Sequence, residues 1–491
     1  MFNKDTKADT LIYTGLFLIA FFVVFLSCLN PFGLKNLDTD TSIFLTIAQG
    51  ITRGQVPFRD FFDNKGPLTY LISAPGLFFG GFTGVWLTEL IFMYVSVFFA
   101  FKTAMFFGSK YTAFLGVFCS FSVFQSFFYE VAGTEEYSLP FMMISLYIFT
   151  KYYVARKEAP AHELMILGMC FAVSVFIRVN MFPLWLGFCL VIFFESILKK
   201  KGLPLLKYIL CFFAGVFVVF VSVFIYLLLN GALSDYINQN FMTGSSRAFT
   251  GFSIKSFTRS FLAIINKNYC LVPLITVFLW IFKKTKNIDL YWCFGFLSAY
   301  LLTAVFLAVI RTEFDHYNMV LTPFLVPAFT FWIKFAFKYF SNSKYKNVLV
   351  LFLLCIVFAN NILAWIYDGY SIVKDKSRSA VIAAGKLIDQ FTTTEDRMIF
   401  LDFPGHIYLF TERQAASRYI YQGSGANYDK NMKAEFLSTI QETRPKIIVI
   451  KNIGGRYDHL PEWYMPIYSM IEREYRLLPD TDDYFLFIRN R

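Results

Sequence analysis

Charged residues are scarce in this chain, since Asp, Glu, Lys and Arg together make up 16% of its 491 residues. Soluble domains are about a quarter charged and about half apolar. This chain is instead 57% hydrophobic and 20% aromatic, with a mean hydropathy of +0.53. The composition therefore excludes an ordinary soluble protein and predicts a polytopic α-helical membrane protein.

Several sequence features of other protein classes are missing. All eight cysteines lie within or at the ends of hydrophobic runs, so neither a disulfide framework nor a Cys/His zinc site is indicated. The sequence has no nucleic-acid-binding motif, internal repeat or Pro/Ser-rich linker. The net charge of +11 comes mostly from basic clusters between hydrophobic runs, so it requires no nucleic-acid partner.

The hydrophobic runs predict about eleven transmembrane helices. The first, residues 11–31, follows a short N-terminus with Lys4 and Lys7 and precedes no cleavage pattern, so we predict a retained signal anchor. The other runs of spanning length are residues 83–106, 110–128, 137–155, 163–178, 180–198, 205–229, 269–283, 289–310, 318–339 and 347–367.

Basic residues predict the orientation of these helices, because Lys and Arg in short loops stay on the cytoplasmic side. If the N-terminus is cytoplasmic, every dense basic cluster falls on that side. These clusters lie within residues 102–110, 151–157, 199–207, 283–286 and 334–346. We therefore predict a multi-pass plasma-membrane protein with a membrane domain over residues 1–367, which includes an external loop over 32–82.

Residues 368–491 show the pattern of a small α/β domain, which this orientation places outside the cytoplasm. Apolar residues at helical spacing predict helices around residues 381–391 and 432–440, and the runs at 398–402, 446–450 and 484–488 predict strands. About 120 residues are enough for a separate hydrophobic core.

The unusual polar residues collect on the predicted external side. Ionisable groups at a membrane boundary are costly unless they are paired or line a wet cavity. We therefore predict that these residues share one external site. They are Asp38, Asp40, Lys65, Glu135, Glu136, Arg178, Asn180, Arg311, His316 and Tyr317.

Structural roles remain open for several of them. Asp40 precedes an amphipathic run, TSIFLTIAQGI, and could serve only as the N-cap of an interfacial helix. Lys65 could reach lipid headgroups, and Glu135 or Glu136 could stabilise a helix start. Arg178 lies between two apolar runs with little loop around it, where an unpaired guanidinium would be expensive, so it favours a functional site.

The motifs that carry these residues resemble those of the GT-C membrane glycosyltransferases. An aspartate at the start of an amphipathic helix, followed by GQVPF and KGPL, is similar to the first external loop of protein O-mannosyltransferases and lipid A aminoarabinose transferases. The segments DFFDNKGPLTYLI, GTEEYSLPF, IRVNMFP and DHYNMVLTP resemble the bacterial cell-envelope members of that branch. The resemblance covers about residues 10–340 and implies a GT-C-like fold.

Members of this family are inverting transferases that use polyprenyl-phosphate sugars on the external face. The resemblance implies that Asp40 is the catalytic aspartate and that Lys65 contacts the lipid phosphate. The further candidates for binding that phosphate are Arg178, His316 and Arg311. The candidates for orienting the sugar or the acceptor are Asp38, Glu135, Glu136, Asn180 and Tyr317.

The sequence departs from the family in one position of the first loop. It has Asp38-Thr-Asp40 where the family has an adjacent acidic pair after the aspartate. Some members use a divalent cation and others do not, and two aspartates do not decide between these cases. The sequence therefore leaves a divalent cation open and indicates no other cofactor.

These observations predict transfer of a sugar from a polyprenyl-phosphate donor to a hydroxyl of an envelope glycan or polymer. Two alternatives stay open. An envelope polysaccharide polymerase or ligase also carries external Arg and His, and a non-enzymatic transporter of lipid-linked glycans would carry polar groups midway along its spans.

Overall fold

The structure is a computed structural model, and it is mostly helical. It describes residues 4–128, 132–155, 160–200, 202–243, 253–266, 269–282, 289–310, 315–401, 406–411, 413–422, 429–457, 460–478 and 483–490.

The first three quarters of the chain are mostly helical, and most of the helices are apolar. They are α1 Lys4–Phe25, α2 Thr39–Thr52, α3 Pro67–Ala104, α4 Lys110–Gln125, α5 Thr134–Val154, α6 Ala161–Ile177, α7 Pro183–Leu198, α8 Gly202–Leu229, α9 Leu233–Ile237, α10 Ile254–Asn266, α11 Leu271–Phe282, α12 Leu290–Val309, α13 Thr322–Tyr339, α14 Lys346–Val357 and α15 Ala359–Lys374. Short 3₁₀ segments at Val179–Met181 and Asp315–Leu321 and a π-helix at Asn238–Thr243 lie between them.

Length and composition identify which helices are suited to cross a membrane. Within the described ranges, four helical stretches meet that test, and two bent helix pairs raise the number to six. Three shorter apolar stretches, Asp9–Phe25, Ala161–Ile177 and Pro183–Leu198, match runs that we predicted as spans. The chain is therefore polytopic, and the count of about eleven spans stays a prediction.

The predicted external loop over residues 32–82 contains regular structure. It holds all of α2 and the first arm of α3, which begins at Pro67. The helix is broken at Gly80 and Gly81, and Gly81 has φ 55° and ψ −141°, a conformation that only glycine adopts readily. The two arms of α3 therefore join the loop to the membrane span with a change of direction.

The last quarter of the chain forms a mixed five-stranded sheet with helices on both faces. The strands are β1 Arg397–Leu401, β2 Gln414–Ala415, β3 Ile447–Lys451, β4 Tyr475–Leu477 and β5 Tyr484–Arg489. Their order is β2-β1-β3-β5-β4, with β1 parallel to β2 and β3, and with β5 antiparallel to β3 and β4. The remaining helices are α16 Arg378–Phe391, α17 His406–Leu409, α18 Lys430–Thr443 and α19 Met465–Glu474.

Both faces of this sheet are covered, which explains why its strands are continuous apolar runs. Phe400 and Val449 belong to one cluster with residues of α2, α16 and α17. Ile399 and Ile448 point to the opposite face, into a cluster with residues of α18 and α19. The apolar face of α2 is therefore buried against the C-terminal domain and the first arm of α3.

Candidate active site

The first turn of α2 separates the roles of its two aspartates. Asp38 is the N-cap of the helix: its carboxylate accepts hydrogen bonds from the Thr41 backbone N–H at 2.9 Å and from the Thr41 hydroxyl at 2.5 Å. Asp40 lies two residues later, inside the helix. The interpretation of Asp40 as the cap is therefore wrong, because Asp38 fills that position and leaves the Asp40 side chain available.

The Asp40 carboxylate faces the ammonium group of Lys65. Their closest atoms, Oδ2 and Nζ, are 3.8 Å apart, and the ammonium also lies 5.6 Å from the centre of the Phe44 ring. One third of the Asp40 side chain is exposed, compared with 16% for Lys65. Burial alone would lower the pKa of Lys65, but the charges of Asp40 and Asp63 outweigh it and leave that pKa raised. Lys65 therefore remains a cation at neutral pH.

The segment that carries Lys65 is held by side chains from distant parts of the chain. Tyr70 donates a 2.8 Å hydrogen bond to the Asp63 carboxylate, and Gln239 accepts one from the Asp63 backbone N–H at 3.1 Å. Asn240 donates to the Lys65 carbonyl at 3.2 Å. Burial raises the pKa of Asp63, and the nearby Lys65 and Tyr70 oppose that rise.

Gly66 brings this segment against the end of α6. Its backbone N–H donates to the Ile177 carbonyl at 2.9 Å, and Thr69 donates its hydroxyl to the same oxygen at 2.8 Å. A Cβ atom at position 66 would lie 1.9 Å from the Phe176 carbonyl oxygen, so only glycine fits. The glycine of the KGPL motif thus places Lys65 beside the end of α6, where Arg178 lies.

Arg178 is the C-cap of α6 and pairs with a carboxylate at the start of α5. Its guanidinium makes a salt bridge with Glu135, whose own hydrogen bond from the Thr134 hydroxyl is 2.7 Å long. The guanidinium also lies 4.4 Å from the centre of the Tyr317 ring. The side chains of Arg178 and Glu135 are 15% and 6% exposed, so the pair is largely removed from water. The expected partner of Arg178 is therefore present.

The 3₁₀ segment Asp315–Leu321 completes the cluster. His316 is buried, and its ring centre lies 4.2 Å from that of Tyr317. The charged groups that act electrostatically on His316 are Glu135, Asp40, Arg178 and Lys65. Side chains from the first external loop, α5, the end of α6 and this 3₁₀ segment therefore lie close together, and their shared function stays a prediction.

A small cavity adjoins the Arg178–Glu135 pair. It has a volume of about 20 Å³, enough for one water molecule, and Glu135, Asn180 and Tyr317 contribute to its lining. Within the described ranges, the Asn180 Oδ1 atom is buried without a hydrogen-bond partner. Asn180 and Tyr317 thus lie at the predicted site, whereas Arg311 lies outside the described residues.

Glu136 binds a backbone N–H, whereas Glu135 pairs with Arg178. It accepts a hydrogen bond from the Ala132 backbone N–H at 3.0 Å, and the same N–H donates to Glu89 at 2.8 Å. Both carboxyl groups are fully buried. Glu89 did not emerge from the sequence, although a single carboxylate within the apolar run LTELIF of α3 was a usable signal. We therefore leave Glu136 out of the proposed substrate contacts.

Glu89 and Glu136 should stabilise the folded protein. Ala132 is buried and has φ 51°, which is unfavourable for alanine, so its backbone depends on these acceptors. We expect the double change Glu89→Ala and Glu136→Ala to lower the free energy of unfolding by about 1–3 kcal/mol, because a buried N–H loses its acceptors. Thermal unfolding in detergent measures this effect.

The matched control is the double change of both residues to Gln, which retains an acceptor oxygen at each position. We expect it to unfold at a higher temperature than the Ala double variant. Equal unfolding temperatures would show that the Ala132 hydrogen bonds do not stabilise the protein.

The described residues offer little for a metal centre. They contain no group of three or more His, Cys, Asp or Glu side chains that could hold an ion. Asp40 faces Lys65 and Asp38 caps α2, so the two aspartates of the first loop do not form a chelating pair. This side-chain arrangement does not fit a metal site.

The fold is similar to that of a membrane protein of known structure. The crystal structure of ArnT from Cupriavidus metallidurans bound to undecaprenyl phosphate matches this chain with a TM-score of 0.65 at 10% sequence identity, covering 98% of each chain. The apo crystal structure of the same GT-C aminoarabinose transferase gives a TM-score of 0.60 at 11% identity, covering 99% of this chain and 98% of that one. This chain is therefore a polytopic membrane protein with the ArnT-like GT-C fold.

Sequence comparison separately identifies a family. Residues 3–343, more than half of the chain, match the family described as "Putative competence-induced protein Ccs4 N-terminal domain". The protein belongs to this family. No curated protein matches it significantly in sequence.

Proposed function

We propose that this protein is an inverting glycosyltransferase of the cell envelope. It moves a sugar from a polyprenyl-phosphate donor to a hydroxyl of an envelope glycan or polymer on the external membrane face. The observation that carries the proposal is the partly exposed Asp40 carboxylate 3.8 Å from the Lys65 ammonium, next to the buried Arg178–Glu135 pair. A base and two cations at the membrane boundary suit transfer from a lipid phosphate.

Asp40 acts as the general base in this proposal. It accepts the proton of the acceptor hydroxyl while that oxygen attacks the anomeric carbon of the sugar, from the face opposite the phosphate. The bond between the anomeric carbon and the phosphate oxygen breaks, and polyprenyl phosphate leaves. A single displacement inverts the configuration. Asp40 is one third exposed, so an acceptor from outside can reach it.

Lys65, Arg178 and His316 bind the leaving phosphate in this proposal, the first two as cations and the buried His316 as a ring N–H donor. Negative charge grows on that group as the bond breaks, and cations already aimed at it lower the barrier most. The raised pKa of Lys65 keeps its charge available at neutral pH. Glu135 holds Arg178 in place, and Asn180 and Tyr317 at the adjoining cavity orient the substrate. No step of this mechanism requires a metal ion.

Three helices support the external placement of the site. α3 starts directly after Lys65 and has Lys102 in its last turn. α5 carries Glu135 in its first turn and Lys151 in its last, and α13 follows the His316 segment and has Lys338 in its last turn. Each helix thus has a site residue at one end and a basic residue at the other. Because basic residues stay in the cytoplasm, the site, the C-terminal domain and the loop over 32–82 are extracytoplasmic.

The crystal structure of ArnT with undecaprenyl phosphate supports a lipid donor of this type. We expect the purified protein in nanodiscs to bind undecaprenyl phosphate, and Lys65→Met to weaken that binding about 10–100-fold. The reason is that a hydrogen bond from an ammonium to a phosphate contributes about 1.5–3 kcal/mol. Native mass spectrometry across a lipid titration measures it.

The matched control is Lys110→Met, which removes an exposed lysine paired with Asp9 at the opposite end of the helices. We expect this variant to bind like the wild type. Equal weakening in both variants would mean that the lipid is attracted by overall charge, and absence of binding to the wild-type protein would contradict the proposed donor.

A further inference from the structure

The C-terminal domain touches the loop that carries Lys65. The backbone N–H of Phe62 donates a 2.9 Å hydrogen bond to the carbonyl of Arg418. The ring centres of Phe62 and Tyr419 are 5.1 Å apart. Phe62 precedes Lys65 by three residues, so these contacts lie next to the proposed donor site.

The loop between Phe58 and Lys65 contains no helix or strand. Its position is therefore set by contacts made from outside it. Gln239 donates a 2.8 Å hydrogen bond to the Phe58 carbonyl and accepts one from Asp63, while Asn240 donates to Lys65. The C-terminal domain contacts this loop at Phe62 through Arg418 and Tyr419.

Arg418 forms ion pairs with both the C-terminal domain and the membrane domain. Its guanidinium lies 2.8 Å from the Glu435 carboxylate in α18 and 3.6 Å from the Asp235 carboxylate in α9. Tyr419 donates its hydroxyl to the same Glu435 at 2.8 Å, and its side chain is buried. The segment that touches Phe62 is therefore rigidly anchored.

We infer that the C-terminal domain positions the loop that carries Lys65 and so shapes the donor site. Arg418 and Tyr419 fix Phe62 and so hold the Lys65 ammonium 3.8 Å from the Asp40 carboxylate. Neither residue touches the substrate in this arrangement. The inference rests on the proposed function, since it concerns the same phosphate site.

A change at Tyr419 tests the inference. We expect Tyr419→Ala in the full-length protein in nanodiscs to weaken undecaprenyl phosphate binding about tenfold, because the ring that holds Phe62 is lost. Tyr419→Phe keeps the ring and loses only the bond to Glu435, so we expect binding within about twofold of the wild type. This rescue by Phe distinguishes ring packing from a hydroxyl contact with the lipid.

A second change separates positioning from a general loss of stability. Tyr419→Ala added to Lys65→Met should cause little further loss of binding, because the residue acts through Lys65. The control is Tyr457→Ala, which removes a ring packed on Phe485 and Phe487 of the same domain. We expect this control to lower the unfolding temperature without changing the binding constant.

The outcomes distinguish the two proposals. If the wild-type protein binds undecaprenyl phosphate and Tyr419→Ala binds it equally well, the positioning inference is overturned and the proposed function stands. If the wild type does not bind this lipid, the proposed donor is wrong. Should Tyr419→Ala fail to fold, Phe62→Leu removes the same ring contact from the loop side, and unchanged binding in that variant overturns the inference.

Discussion

Asp40→Asn should abolish most glycosyl transfer while leaving the protein folded. A positioned general base contributes about 10²–10⁴-fold to a rate, so we expect a loss of that size when Asn replaces the carboxylate. The helix should be unaffected, because Asp40 is not its cap. The measurement is the sugar content of the envelope glycan in cells expressing each variant, together with the membrane abundance of the protein.

Asp38→Asn is the matched control for Asp40→Asn. Asn caps a helix about as well as Asp, and the structure gives Asp38 a capping role, so we expect this variant to retain the glycan modification. The reverse result, with transfer lost in Asp38→Asn and kept in Asp40→Asn, would move the catalytic base to Asp38. Retention of transfer in both variants would contradict the proposed mechanism.

Arg178→Met should be the most destabilising of these substitutions. It leaves the Glu135 carboxylate, which is 6% exposed, without its charged partner. Removing one member of a buried ion pair costs about 3–5 kcal/mol. We therefore expect a large fall in the unfolding temperature in detergent and lower abundance in the membrane.

A double variant separates the structural role of Arg178 from its role in binding the donor phosphate. Arg178→Met combined with Glu135→Gln removes both charges, so we expect most of the lost stability to return. Donor binding should not return, because the guanidinium aimed at the phosphate is still missing. Recovery of wild-type binding in the double variant would show that Arg178 only balances Glu135.

The sequence predicted much of the C-terminal domain because its signals are local. The apolar runs at 398–402, 446–450 and 484–488 correspond to β1, β3 and β5, each within about one residue. β2 and β4 escaped prediction because they contain two and three residues and form only through pairing with β1 and β5. Short edge strands have too few residues to show a period of their own.

Part of the candidate site was predictable from isolated polar residues and not from local periodicity. Arg178 and His316 were noticeable because charged or polar groups beside apolar spans are rare and need partners. A lone carboxylate inside an apolar span marks Glu89 but does not identify its partner, because its link to Glu136 through Ala132 is made by the packing of α3 near the start of α5.

The sequence by itself determined that this is a polytopic membrane protein with polar groups gathered at span ends, because hydrophobic length and charge placement follow directly from transfer into a bilayer. Tertiary structure alone decided which carboxylate pairs with Arg178 and what covers the apolar face of α2. Those choices depend on the approach of segments more than 40 residues apart, such as Glu135 and Arg178. Local sequence patterns do not encode such distances.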